Sequence, residues 1–187
     1  MPVGVLALQG DVREHLAILS DLGENATPVR SQEELASCTG LVIPGGESTT
    51  ISKLLVNFEL LEPVRKFVRE KPVLGTCAGL ILLSDEVAGR LVDQELIGGL
   101  AVAVERNAYG GQTHSFEAEV EFGDSSERVA FIRAPKILDV GECEVIATYE
   151  GEPVAVRDGK LFGATFHPEL TGAKELHRLF LSAVETN

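Results

Sequence analysis

The chain has 187 residues, with 16 Lys plus Arg against 29 Asp plus Glu, a formal net charge of −13. An apolar fraction of 44%, with 5% aromatics and no Trp, provides an aliphatic core and argues against intrinsic disorder. The length suits one domain, and the acidic balance argues against a DNA or RNA binder, which needs a basic face to displace counterions.

Val3 to Leu8 is a short apolar run, read as a buried parallel strand. Val12, Leu16, Leu19 and Leu22 fall at helical spacing and Gly23 follows as a stop. Ala26 to Val29 is a second strand. Ser31 opens a short helix, with Glu34 completing a capping box. Leu41 to Ile43 is a third strand, ended by Pro44-Gly45-Gly46, and helices are expected over Thr50 to Leu55 and Leu61 to Glu70. Pro72 to Thr76 is a fourth strand and Ala78 to Ser84 begins another helix. This alternation implies a mainly parallel sheet with helices on both faces. Further on, Phe116, Ala118, Val120 and Phe122 alternate with Glu117, Glu119 and Glu121, the pattern of an antiparallel strand with one wet face. Strands over Val129 to Arg133, Glu144 to Tyr149 and Pro153 to Arg157 follow, and Asp158-Gly159 turns the chain into Leu161 to Phe166. Gly172 to Val184 reads as a closing helix. The expected fold class is α/β, mainly parallel, flanked by helices, with an antiparallel extension and no separable second domain.

No apolar run approaches the ~20 residues needed to cross a bilayer, and the N-terminus has no signal-peptide layout. Three widely spaced cysteines (Cys38, Cys77, Cys143) suit reduced thiols in a cytoplasmic protein and offer no structural zinc site. Cys38 and Cys143 read as small core or boundary residues.

Gly75-Thr76-Cys77-Ala78-Gly79 places a thiol between glycines at a strand-to-helix junction. Such an elbow exposes a nucleophile on a strained turn, beside a helix start that favours anions and offers a backbone N–H to an oxyanion. The plainer reading is a buried cysteine with glycines for packing. Phe166-His167-Pro168-Glu169 follows a strand, and residues two apart in extended chain share a side, so Glu169 can orient the His167 ring. A thiol needs a base and the base needs an orienting acceptor, and these three residues supply them. Pro44-Gly45-Gly46-Glu47-Ser48-Thr49 opens a helix after a strand and offers N–H groups to an anion, without the Gly-Lys of a phosphate-binding loop. His15, His114 and His177 show no partner pattern, and His177 is expected on the surface of the closing helix.

With these motifs in place, the chain resembles the class I glutamine amidotransferases, in the branch of glutaminase subunits of pyridoxal 5'-phosphate synthase. Leu8-Gln9-Gly10-Asp11-Val12-Arg13-Glu14-His15, Pro44 to Thr50, Val104-Glu105-Arg106-Asn107-Ala108-Tyr109-Gly110 and Phe131-Ile132-Arg133-Ala134-Pro135 carry the branch resemblance, which spans the whole chain. It implies a flavodoxin-like fold, one glutamine amidotransferase domain over 1–187, and hydrolysis of L-glutamine to glutamate and ammonia. It also implies Cys77, His167 and Glu169 as the catalytic triad, an oxyanion site from the N–H groups of Ala78 and Gly46, and substrate contacts from Gly46, Glu47, Ser48, Arg106, Ile132 and Arg133. No cofactor and no metal are implied. The implied partner is a (β/α)₈-barrel synthase subunit, in an assembly of twelve synthase and twelve glutaminase subunits, with Gln9 reorganised by docking. The alternatives are a glutaminase of another synthase, such as that of histidine biosynthesis, a cysteine peptidase or chaperone-like protein with the same elbow, and a non-enzymatic interaction module.

Overall fold

The computed structural model describes residues 1–106 and 115–186. His114 and the segment Asn107 to Gly110 lie outside the described residues. In chain order the first half runs β1 (Val3–Leu6), α1 (Val12–Asp21), β2 (Ala26–Val29), α2 (Gln32–Ala36), β3 (Gly40–Ile43), α3 (Ser48–Asn57), α4 (Leu61–Glu70), β4 (Val73–Thr76) and α5 (Ala78–Leu83). The second half runs β5 (Ser84–Ala88), β6 (Leu100–Glu105), β7 (Ser115–Phe122), β8 (Ser125–Ile132), β9 (Lys136–Asp139), β10 (Glu144–Tyr149), β11 (Glu152–Asp158), β12 (Leu161–Ala164) and α6 (Glu175–Glu185).

The main sheet has the order β2-β1-β3-β4-β12-β11-β10-β7-β8. Its first five strands are parallel, and β11 onward pair antiparallel. Taken alone, the parallel strands have the flavodoxin-like order, which puts ligand sites at the carboxyl ends of the strands. Period-two alternation sends the two faces of each strand into different cores. Leu41, Ile43 and Val73 pack with Ile51 and Leu55 of α3 and Val64 and Phe67 of α4. Val42 and Leu74 point the other way, toward Leu19 of α1 and Leu176 and Phe180 of α6. Each such fully buried side chain contributes about 1.5–3 kcal/mol of transfer free energy, so a four-residue strand buried on both faces is strongly held.

Several boundaries differ from the sequence expectation for identifiable reasons. β1 ends at Leu6 rather than Leu8, because the chain leaves the sheet to form the turn that reaches the Gly45 carbonyl through the Asp11 N–H. α3 starts at Ser48, two residues before the expected Thr50, since Ile51 N–H already bonds the Glu47 carbonyl. The Ser31 capping box forms as expected, with both reciprocal bonds present. A three-stranded sheet of order β5-β6-β9 was not legible from the pattern. Cys38, Cys77 and Cys143 are free and buried, and Cys38 belongs to the core beneath α2. Among the described residues, no helix is long and apolar enough to cross a membrane.

The antiparallel extension reaches the site through the end of β8. β7 and β8 pair over eight residues, with Phe116 stacked on Phe131 at 4.9 Å and Phe131 edge-on to Phe166 at 5.8 Å. The end of β8 then bridges the chain after β12: His167 N–H donates to the Ala130 carbonyl at 2.7 Å, and Ala130 N–H returns a bond at 3.4 Å.

Candidate active site

Cys77 follows β4 and precedes α5 with φ 48 and ψ −101, the strained left-handed region that few side chains adopt. The glycines on either side make the elbow possible. A Cβ on Gly79 would collide with the carbonyl oxygen of Ile43, and one on Gly75 would lie 2.6 Å from the Gly79 backbone. Helix α5 therefore rests directly on the sheet, and its first residue, Ala78, is buried with an N–H that no helical carbonyl can reach. The Cys77 thiol lies 3.8 Å from the Ile132 carbonyl.

His167 approaches from the chain end after β12. Its Nδ1 is 2.7 Å from Glu169 Oε1 and 3.2 Å from Asp11 Oδ2. These are the distances of one N–H shared between two carboxylates, and they leave Nε2 for the Cys77 thiol. The three groups lie within 4.8 Å of one another, a spacing that a cation would also accept. The shared proton accounts for it without one. Burial pulls the His167 imidazole down, but hydrogen bonds to Asp11, Cys77 and Glu169 outweigh it and push it up to about 12. Burial raises Glu169, opposed by the hydrogen bond and charge of His167. The pair thus keeps its proton, and the second carboxylate places it on the imidazole. The fit is close: a Cβ on Gly45 would collide with His167 Cε1.

A cavity of about 260 Å³ opens over these groups. Gly46, Glu47, Ser48, Cys77, Arg106, Ile132, Arg133 and His167 all line it, so the residues singled out from the sequence converge on one space. Glu169 stands behind His167, buried, and Ala78 sits beneath Cys77. Arg133, at φ 46, reaches across the mouth to Glu47 at 3.3 Å, with both side chains about half exposed. Arg106 Nη1 contacts Gln94 Oε1 at 3.4 Å, and the Gln94 amide donates to Ser48 Oγ at 3.1 Å. Gln9 Oε1 accepts the Glu47 N–H at 2.8 Å.

Asp11, Gln94, His15 and His177 were missed as site neighbours by sequence reasoning. His177 is a correction: it is fully buried, not on the surface of the closing helix. It shares the helical stripe of Phe180 and Leu181, three and four residues on, and that spacing was the available signal. His15 sits likewise on the stripe of Ile18 and Leu19. Burial lowers His177 to about 4, and burial with His177 and His167 nearby lowers His15 well below its usual value, so both are neutral.

A flavodoxin-like sheet with a cysteine elbow, and a histidine held by carboxylates at its strand ends, is the arrangement expected of a class I glutamine amidotransferase. A family model for the SNO glutamine amidotransferase family matches residues 5–186. The chain is 52% identical over 191 residues to pyridoxal 5'-phosphate synthase subunit PdxT of Streptomyces coelicolor, covering 99% of this chain and 94% of that protein. It is 50% identical over 186 residues to the same subunit of Mycobacteroides abscessus, covering 97% and 96%. A crystal structure of a glutamine amidotransferase superposes with a TM-score of 0.92 at 46% identity, covering 99% of this chain and all of that one. PurLQS from Thermotoga maritima, at 16% identity and a TM-score of 0.68, shares the fold. The chain belongs to the SNO glutamine amidotransferase family.

Proposed function

We propose that this chain is the glutaminase subunit of a pyridoxal 5'-phosphate synthase, hydrolysing L-glutamine and passing the ammonia to a synthase subunit. The observation that carries the reading is the strained Cys77 elbow sharing one cavity with a His167 ring anchored to Glu169 at 2.7 Å. The naming of relatives about half identical over nearly the whole chain favours this synthase over another, such as that of histidine biosynthesis.

On this reading His167 takes the Cys77 thiol proton as the sulfur attacks the side-chain carboxamide carbon, and the N–H groups of Ala78 and Gly46 hold the oxyanion. Losing one such donor typically costs ~10²–10³ in rate. His167 gives its proton to the departing ammonia, leaving a thioester. It then takes a proton from water, whose oxygen attacks the thioester and releases glutamate, and Glu169 keeps the ring in register throughout. Gly46, Glu47, Ser48 and Ile132 contact the substrate, and Arg106 or Arg133 takes its α-carboxylate, which a guanidinium matches in a bidentate contact.

Ammonia released into neutral water is protonated and lost as a nucleophile, so it passes directly to the partner. That partner is a (β/α)₈-barrel synthase subunit, in an assembly of twelve of each. The whole chain, 1–187, works as one domain in the cytoplasm. The test is glutamate release from L-glutamine by the chain alone, with a synthase subunit of this class, and with Cys77→Ala. Stimulation by the synthase subunit, with a loss of about 10⁴-fold or more in the variant, is expected. Activity surviving in Cys77→Ala would remove the cysteine from the mechanism.

A further inference from the structure

We propose that His15 is a positioning residue for glutamine hydrolysis: from behind the site it holds the second carboxylate oxygen of Glu169, and His177 fixes its tautomer. The inference rests on the reading of Cys77, His167 and Glu169 as a glutaminase triad.

Glu169 is buried and spends only one oxygen on His167. Its Oε2 has no hydrogen-bond partner among the described residues, and His15 Nε2 faces it at 3.5 Å. His15 Nε2 is also 3.1 Å from Thr76 Oγ1, on the residue that immediately precedes Cys77. His15 Nδ1 is 2.9 Å from His177 Nε2, and His177 Nδ1 has no partner. One proton arrangement satisfies this chain best. His177 donates its Nε2–H to His15 Nδ1, and His15 in turn carries its proton on Nε2, facing Thr76 and Glu169. The unpaired atom is then a lone pair on His177 rather than an orphaned N–H, the cheaper of the two. The opposite arrangement would turn an acceptor on His15 toward a carboxylate, two lone pairs facing each other in a dry core.

The groups that face Glu169 come from three elements: His15 from α1, Asp11 from the turn before it, and His167 from the chain after β12. His177 of α6 reaches Glu169 only through His15. Both imidazoles are fully buried, and removing an imidazole from water is unfavourable unless its nitrogens find partners. The atoms His15 touches are the orienting carboxylate and the residue behind the nucleophile. The His15 N–H therefore favours an anionic Glu169, which in turn holds the proton on His167. Without it, Glu169 takes up a proton more readily and the imidazolium loses its counterion.

The experiment compares wild type, His15→Leu and His15→Gln in the synthase-stimulated glutaminase assay, with Cys77→Ala as the control for the triad. Gln places an N–H where the His15 Nε2–H lies, and Leu does not. For His15→Leu, kcat falls about 10–100-fold, as for a buried carboxylate oxygen left with no polar group facing it, with KM changed less than about twofold. The alkaline limb of its kcat profile moves to lower pH, and His15→Gln restores most of both. His177→Phe frees the tautomer and lowers kcat by about three- to tenfold. In parallel, ¹⁵N spectra of the free chain show His15 and His177 as neutral Nε2–H tautomers between pH 6 and 8. An unchanged kcat and pH profile in His15→Leu overturns the proposal, as does equal loss in the Leu and Gln variants, which marks a merely structural role. An Nδ1–H tautomer at His15 overturns it whatever the kinetics. Wild type inert with the synthase subunit present overturns instead the triad reading, and the spectra still decide which nitrogen of His15 faces Glu169.

Discussion

In the parallel half of the sheet, β3 and β4 are buried along their whole length and on both faces. In the antiparallel half, β7 buries Val120 and Phe122 while Glu117, Glu119 and Glu121 stand in solvent. Both halves nevertheless end at the same cavity. The parallel half supplies Cys77 on a backbone wedged against Ile43, and the antiparallel half supplies Ile132 and Arg133 and bridges the backbone of His167. The difference separates two tasks. A residue held in a strained conformation needs a support that cannot yield, and close packing on two faces provides one. Side chains that line a cavity mouth need only an edge in the right place, which a hairpin with one wet face can present.

The sharpest way to break this comparison is to add one carbon under the elbow. Gly79→Ala drives a Cβ into the Ile43 carbonyl oxygen, and a loss of about 3 kcal/mol in urea unfolding is expected. A neutral result would mean the parallel half yields more readily than its packing implies. A second test uses the buried histidine beneath that half. His177 is lowered to about 4 in the folded chain, against about 6.5 unfolded. The unfolded chain therefore takes up a proton that the folded chain refuses. Stability declines as pH falls below 6.5, and the decline, roughly 3 kcal/mol from this group, is complete just below pH 4. His177→Phe should flatten that part of the urea-midpoint profile, and an unchanged slope would assign the acid sensitivity elsewhere.

At the tip of the antiparallel half, Arg133→Ala should raise KM for glutamine about tenfold, the size of one weakened ionic contact, while thermal unfolding stays within a few degrees. A collapse of stability would show that this edge is structural after all. The smallest effect is expected on the wet face, where Glu119→Gln should change unfolding free energy by less than about 0.5 kcal/mol.

Much of this was legible in the sequence. The alternation at Phe116 to Phe122, the Ser31 capping box and the Cys77 elbow carry their physics in adjacent residues, so local rules reach them. The alternation of strands and helices in the first half pointed to a mainly parallel sheet, and the structure supplies the strand order. What escaped was set by distant partners. β5 is Ser-Asp-Glu-Val-Ala, with no strand pattern, and exists because it can pair with β6. His15 and His177 are 162 positions apart, and only the packing of α1 and α6 on one face of the sheet brings them together. Asp11 lies within the Leu8 to His15 motif, but its reach to His167 depends on the turn after β1.

Gln9 offers a last consequence. Its side chain is a primary carboxamide, the functional group on which a glutaminase acts, and its oxygen accepts the N–H of Glu47 in the loop proposed to bind glutamine. On that reading the chain carries a tethered imitation of its own substrate. Its local concentration is fixed by the short turn that holds it, not by the supply of glutamine in the cell. Free glutamine then competes with an intramolecular rival, and an event that draws the β1–α1 turn aside raises the apparent affinity without altering any contact the substrate itself makes.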